Sequence, residues 1–183
     1  MKQKIVIALL LFIATDIVAQ KREFITVGFN AEIKNTENMK DNISFSYENQ
    51  LTKHHGFEIG LSKRNSEHYF VGRLSDGTFN TFHVLENYLT MPCLYQFNSN
   101  ILNISTGLSF DYFVGWKDIT KFGETELTNY TTDPKFYVGW VIKLGKSIPL
   151  DTKFNLEPSV YFNPIFKYGD SYYGVSMKLK YQL

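Results

Sequence analysis

The chain has 183 residues, 44% hydrophobic, 16% aromatic and 20% charged, which suffices for one domain with an interior and excludes disorder or collagen-like repeats. Its 19 Lys and Arg against 18 Asp and Glu give a formal charge of +1, so no basic surface for nucleic acid is implied. The single cysteine, Cys93, excludes an internal disulfide, a thiolate metal site and a redox pair.

In chain order, Lys2 and Lys4 precede an apolar run over residues 5–14, and Val18-Ala19 meets Gln20 before Lys21-Arg22-Glu23. This is the layout of a cleaved secretory signal, with the cut after Ala19. The expected organisation is therefore a signal at 1–19 and one mature domain at 20–183. From Gln20 onward no stretch of 18 apolar residues occurs, so a membrane form of this chain has to cross with strands closed into a barrel.

A period of two runs through the mature chain. Ile25, Val27, Phe29, Ala31 and Ile33 alternate with Thr26, Gly28, Asn30 and Glu32, and Ile43, Phe45 and Tyr47 with Ser44, Ser46 and Glu48. Phe57, Ile59 and Leu61 oppose Glu58, Gly60 and Ser62; Leu89, Met91, Cys93, Tyr95 and Phe97 oppose Thr90, Pro92, Leu94 and Gln96. From 102 to 116 the even positions run Leu, Ile, Thr, Leu, Phe, Tyr, Val, Trp, while the odd ones are mostly small or polar and include Asp111. Phe136, Val138, Trp140, Ile142 and Leu144 alternate with a set containing Lys143; Phe154, Leu156, Pro158, Val160 and Phe162 with one containing Glu157; and Tyr173 through Leu183 with one containing Lys178 and Lys180. A helix would scatter these sets around its circumference, whereas a strand places them on two faces.

The eight segments predict an all-β, eight-stranded antiparallel up-and-down transmembrane β-barrel. The apolar sets carry no charge, and a Lys or Arg at the bilayer midplane costs about 2–4 kcal/mol in a barrel, so the apolar sets are assigned to lipid and the charged sets to the interior. Glu48, Glu58, Asp111 and Glu157 are then expected to pair with Lys143, Lys178 and Lys180 as a structural polar network filling a lumen too narrow for an open pore. A soluble lipocalin-like carrier of apolar ligands is the alternative with the faces reversed.

Short links near 52–55, 98–100 and 147–151 alternate with longer ones at 34–41, 64–84, 117–134 and 164–171, which predicts periplasmic turns and outward loops. Phe24, Tyr95, Phe97, Phe154 and Tyr181 are read as an aromatic ring near the turns. Tyr112, Trp116, Phe136, Tyr137, Trp140, Phe162 and Tyr173 are read as a second near the loops.

Candidate chemistry is sparse. His54 and His55 share a turn without further ligands. Asp76-Gly77 is a hairpin signal that would let the third and fourth strands project as a ribbon and bring His68 towards His83, a weak two-ligand metal pair. Ser66 and His68 fall on one strand face with Glu86 across the ribbon, the residue types of a nucleophile, a base and an orienting acid. No catalytic, cofactor-binding or metal residue is assigned from these, and a lipid-modifying enzyme stands as an alternative.

The strand Tyr88-Leu89-Thr90-Met91-Pro92-Cys93-Leu94, followed by Thr106-Gly107-Leu108-Ser109-Phe110, resembles the outer-membrane β-barrel family common in Bacteroidetes that includes PorT-like proteins. Thr90 stands where that family has glutamate, and Leu183 ends the chain where an aromatic is commoner. The resemblance implies an outer-membrane location and the barrel fold, recognition of the last strand by the barrel-insertion machinery, and an accessory role in secretion or gliding. The expected partners are outer-membrane lipid, that machinery and a protein at the outward loops, with no cofactor and no nucleic acid.

Overall fold

The computed structural model describes residues 22–35, 38–73, 77–120, 130, 132, 135–166 and 169–183. The expected signal at 1–19 and most of the loop at 117–134 lie outside the described residues. The strands are β1 (Arg22–Lys34), β2 (Lys40–Gln50), β3 (His55–Arg73), β4 (Phe79–Asn98), β5 (Asn103–Asp118), β6 (Phe136–Gly145), β7 (Ile148–Pro149), β8 (Phe154–Pro164) and β9 (Ser171–Gln182). All pairings are antiparallel. The sheet runs β6-β5-β4-β3-β2-β1-β9-β8-β7, and a further β6–β8 pairing closes it into a ring. β7 is a two-residue stub on the edge of β8, so the ring consists of eight long strands.

Side chains alternate across this ring as the sequence predicts. Ile104, Val175 and Leu179 are 41%, 55% and 43% exposed, whereas Asp111, Lys143 and Lys178 are 3%, 5% and 5% exposed. The outside is apolar and the inside is charged, the reverse of a water-soluble barrel. The outward apolar residues span Ile25 to Ile33 on β1 and Leu89 to Phe97 on β4. Each of these spans is nine residues, close to the roughly 9–11 that a tilted strand needs to cross hydrocarbon. At its upper edge Lys63 on β3 stands across from Leu89, and Lys117 on β5 is exposed beyond it.

β3 and β4 outrun their neighbours. The stretch 64–84, expected as a loop, is largely strand: the ladder continues from Arg64↔Tyr88 to Arg73↔Phe79 because the two-residue alternation does not stop at the end of the apolar belt. The projecting ribbon anticipated from the Asp-Gly signal is present. Gly77 takes φ 88°, the left-handed conformation that such a turn requires, while 74–76 lie outside the described residues.

Three aromatic assignments are corrected. Tyr88 pairs with Phe113 and Asn87 with Gly115, so Val114 is an extra residue, a β-bulge. One extra residue exchanges the faces beyond it. Trp116 therefore lies on the inner side, opposite the buried Glu86 and edge-on to Tyr130 at 5.6 Å, rather than in the outward ring. Tyr137 also points inward, against Tyr88 at 5.5 Å. Phe24 is buried beneath the Lys180 ammonium.

Two glycines are required by close approach. A Cβ at Gly107 would lie 2.1 Å from the Cys93 carbonyl oxygen on the neighbouring strand. At Gly174 it would meet the ring of Tyr161, directly across the β8–β9 ladder, at 2.4 Å. Covering a strand glycine with an aromatic ring fixes register.

Met177 lies near the middle of the belt, across from Phe29. Met177→Arg is expected to destabilise the folded barrel by about 2–4 kcal/mol, measured by reversible denaturation in lipid vesicles; an unchanged midpoint would show that this face does not meet hydrocarbon.

Candidate functional site

The lumen holds two groups of ionised side chains. In the lower one, Glu48 on β2 and Glu58 on β3 are direct cross-strand neighbours, an unfavourable juxtaposition on its own. Lysines from the opposite wall separate them. Lys143 from β6 and Lys178 from β9 both engage Glu58, while Lys180 from β9 reaches Glu48 at 2.7 Å and Glu157 at 2.6 Å. Lys143 also lies 3.8 Å from Glu157. Gln96 donates to Glu58 at 2.9 Å and Asn103 to Glu157 at 3.1 Å, which uses further acceptor lone pairs of the carboxylates. Three carboxylates and three ammoniums thus form one neutral cluster.

The upper group is built on Arg64, which sequence reasoning placed in a loop and left out of the network. Its guanidinium donates to Asp111 at 2.6 Å and to Glu32 at 3.2 Å, and lies over the Tyr172 ring at 4.1 Å. Asp111 therefore pairs with arginine, not with one of the three lysines. Extending the alternation of Glu58, Gly60 and Ser62 by two more residues would have found Arg64. Tyr161, resting on Gly174, donates to the other oxygen of Glu32 at 2.9 Å. A void of about 80 Å³ lies between the two groups.

At each end the ring opens into a cavity. The one at the short-turn end is about 470 Å³ and is lined by Lys53, His54, Asn98 and Asn100 among others. His54 shares its ring nitrogen with the Asn98 carbonyl at 2.8 Å, and His55 bonds the Tyr95 hydroxyl, so the pair serves the turn. The cavity at the long-strand end is about 540 Å³, and Ser66, His68 and Glu86 all line it.

The structure thus brings the three residues of the nucleophile pattern to one mouth, with Ser66 directly across from Glu86. Ser66 Oγ accepts from the Lys34 ammonium at 2.9 Å, and Lys34 is itself paired with Asp170 at 3.2 Å. His68 stacks on Phe70 instead, at 6.3 Å between centroids. Glu86 accepts from Tyr88 on one oxygen, at 2.7 Å, and from Tyr130 on the other. Burial and the Glu86 carboxylate hold the Tyr130 phenol above its ordinary range, so it remains a donor.

His83 does not meet His68. The ladder places His68 opposite Val84 and His83 opposite Tyr69, so the two histidines occupy opposite faces of the ribbon. His83 stacks on Tyr69 at 3.8 Å and bonds Glu67 at 3.1 Å. Glu67 also pairs with Lys40 at the start of β2, fastening that strand to the base of the ribbon. A hydrogen bond from Lys40 and the charges of Lys40 and His83 hold the Glu67 carboxyl below its usual range, against the opposing effect of burial. Among the described residues no group of three His, Cys, Asp or Glu is arranged to hold a metal ion.

No family model and no curated protein matches the chain. Solved structures do. The N-terminal β-barrel domain of Pseudomonas aeruginosa OprF aligns at 14% identity and TM-score 0.47, over 88% of this chain and 100% of that one. Neisserial surface protein A aligns at 8% and 0.48, over 89% and 97%. Ail, the attachment invasion locus protein of Yersinia pestis, solved with the heparin analogue sucrose octasulfate, aligns at 9% and 0.45, over 89% and 97%.

Glu58→Ala leaves Lys143 and Lys178 buried with their principal partner gone and is expected to cost about 3–5 kcal/mol in the same denaturation assay. A loss below about 1 kcal/mol, the range of solvated pairs, would show that the cluster is hydrated rather than paired. The Glu67 contact has a pH signature. A carboxyl depressed on folding stabilises the protein above its unfolded value of about 4.3, and that contribution is lost as pH falls through the lower folded value. Amide exchange in β3 beyond Glu67 should therefore quicken as pH falls below about 4, after correction for intrinsic exchange, and Glu67→Gln should remove this dependence.

Proposed function

We propose that the chain is a small β-barrel of a bacterial outer membrane with a structural or interaction role, no open pore and no catalytic activity. The observation that carries this reading is the inverted distribution of side chains: a continuous apolar exterior about nine residues tall around a charged, filled interior. Water would penalise that exterior along every strand, and hydrocarbon would not. A carrier of apolar ligands needs the opposite arrangement, an apolar lumen.

The non-enzymatic part of the reading rests on the mouth. The Ser66 hydroxyl is held by an ammonium already paired with a carboxylate, and His68 packs on Phe70, so the set lacks the base-to-nucleophile contact that acyl transfer uses. The elements above the belt, chiefly the β3–β4 ribbon, are the contact surface for a partner. Strand β9, ending beside Leu183, would be the segment read by the barrel-insertion machinery. The resemblance of Tyr88 through Leu94 and of the strand after it to the PorT-like family of Bacteroidetes makes an accessory role in secretion or gliding the finer form of the proposal.

Cell fractionation tests it. The protein should sediment with outer membranes, require detergent for extraction and migrate differently on gels before and after boiling. An epitope inserted after Gly77 should be labelled on intact cells, and one inserted after Asn100 only after permeabilisation. Recovery in the aqueous supernatant would overturn the membrane reading, and labelling at Asn100 alone would overturn the orientation.

A further inference from the structure

The cavity at the long-strand end has an imbalance that the rest of the interior lacks. Elsewhere each buried carboxylate faces a cation: Glu48, Glu58 and Glu157 face lysines, and Glu32 faces Arg64. Among the described residues the cavity of about 540 Å³ is lined by three carboxylates, Glu86, Asp111 and Asp170, and by one ammonium, Lys34, which Asp170 already engages. Glu86 is 6% exposed and is held only by two neutral phenols; among the described residues it has no cationic partner. Asp111 is 3% exposed, and while its Oδ2 takes the Arg64 hydrogen bond, its Oδ1 has no hydrogen-bond partner. A buried carboxylate without a counter-charge is expensive, so Glu86 calls for a donor that carries positive charge.

The remaining wall is aromatic. The Phe70 and Tyr130 rings stack at 5.5 Å, and Tyr88 meets Tyr137 edge-on at the same distance, all four lining the cavity beside Glu86. Rings beside carboxylates are the surroundings in which an alkylammonium or guanidinium group is best held, its charge shared between the acid and the ring faces. A bare divalent ion is a poor fit, since among the described residues no three acidic, histidine or cysteine side chains come together and the volume is that of a small-molecule site. An anion would meet net negative charge. We propose that this mouth binds a small organic cation with an apolar body, its ammonium or guanidinium group directed at Glu86.

The inference deepens the interaction role proposed above by naming the chemistry of a ligand, yet it requires only the folded barrel. Calorimetry on purified full-length barrel in detergent therefore tests it separately, and failure there leaves the envelope reading standing. The probes are phenethylamine and its uncharged counterpart 2-phenylethanol. Saturable binding of the amine is expected, at least about tenfold tighter than the alcohol, and weakened at least about tenfold by Glu86→Gln, a difference well resolved by titration. Equal affinity for amine and alcohol would overturn the proposal, as would amine binding unchanged in E86Q or no saturable binding of the amine at about 1 mM, the weak end of specific affinity. Binding of calcium that the amine does not displace would also overturn it. If E86Q does not give heat-modifiable protein, the comparison of amine with alcohol on the unaltered barrel decides the matter alone.

Discussion

Glu48 and Glu58 face the same lumen from adjacent strands, close enough to repel, and the arrangement stands only because lysines arrive from the far wall. Those lysines come from β6 and β9, so the ion pairs span the lumen rather than following a single ladder. The links to Glu48 and Glu58 join strands that are not neighbours in the sheet: β3 to β6, β3 to β9, β2 to β9. Backbone pairing curls the sheet, and these bonds fix its cross-section. Burial of large apolar side chains in the lumen does little of this work, because most of them point outward.

The same constraint shapes the upper half. Arg64 replaces the lysines as the central cation, and its flat guanidinium serves two carboxylates while lying on a tyrosine ring, a geometry an ammonium cannot reproduce. Tyr161 reaches Glu32 because Gly174 leaves a recess for its ring, so a residue with no side chain helps to place a hydrogen bond one strand away. Further up, the neutralisation runs out at Glu86. Among the described residues each buried carboxylate of the closed lumen has a cationic partner, and Glu86, where the lumen opens, has none, which is where a protein meets molecules other than itself.

Much of this was legible in the sequence because a strand has an integral period: once Ile104 is placed outside, Asp111 has to be inside. The reading failed where that count was interrupted or stopped too soon. Val114 is one inserted residue with no compositional mark, and it exchanges the faces of everything after it, Trp116 included. Arg64 was given to the connection at 64–84, although it continues the inward set. The partners of Asp111 and Glu157 depend on lumen geometry, which alternation does not encode. Ser66, His68 and Glu86 could be placed on one face by counting, but the ammonium that holds Ser66 comes from β1, 32 residues away.

The ring is not knitted evenly. β1 and β9, which carry the two ends of the described chain, share 11 rows of backbone pairing, whereas β6 and β8 share four, in a region where two prolines deprive β8 of donors. The molecule is in effect a ribbon of sheet with selvedges at β6 and β8, stitched shut after being rolled. Heat or mechanical load would part it along that stitch first, leaving the first and last strands still clasped together.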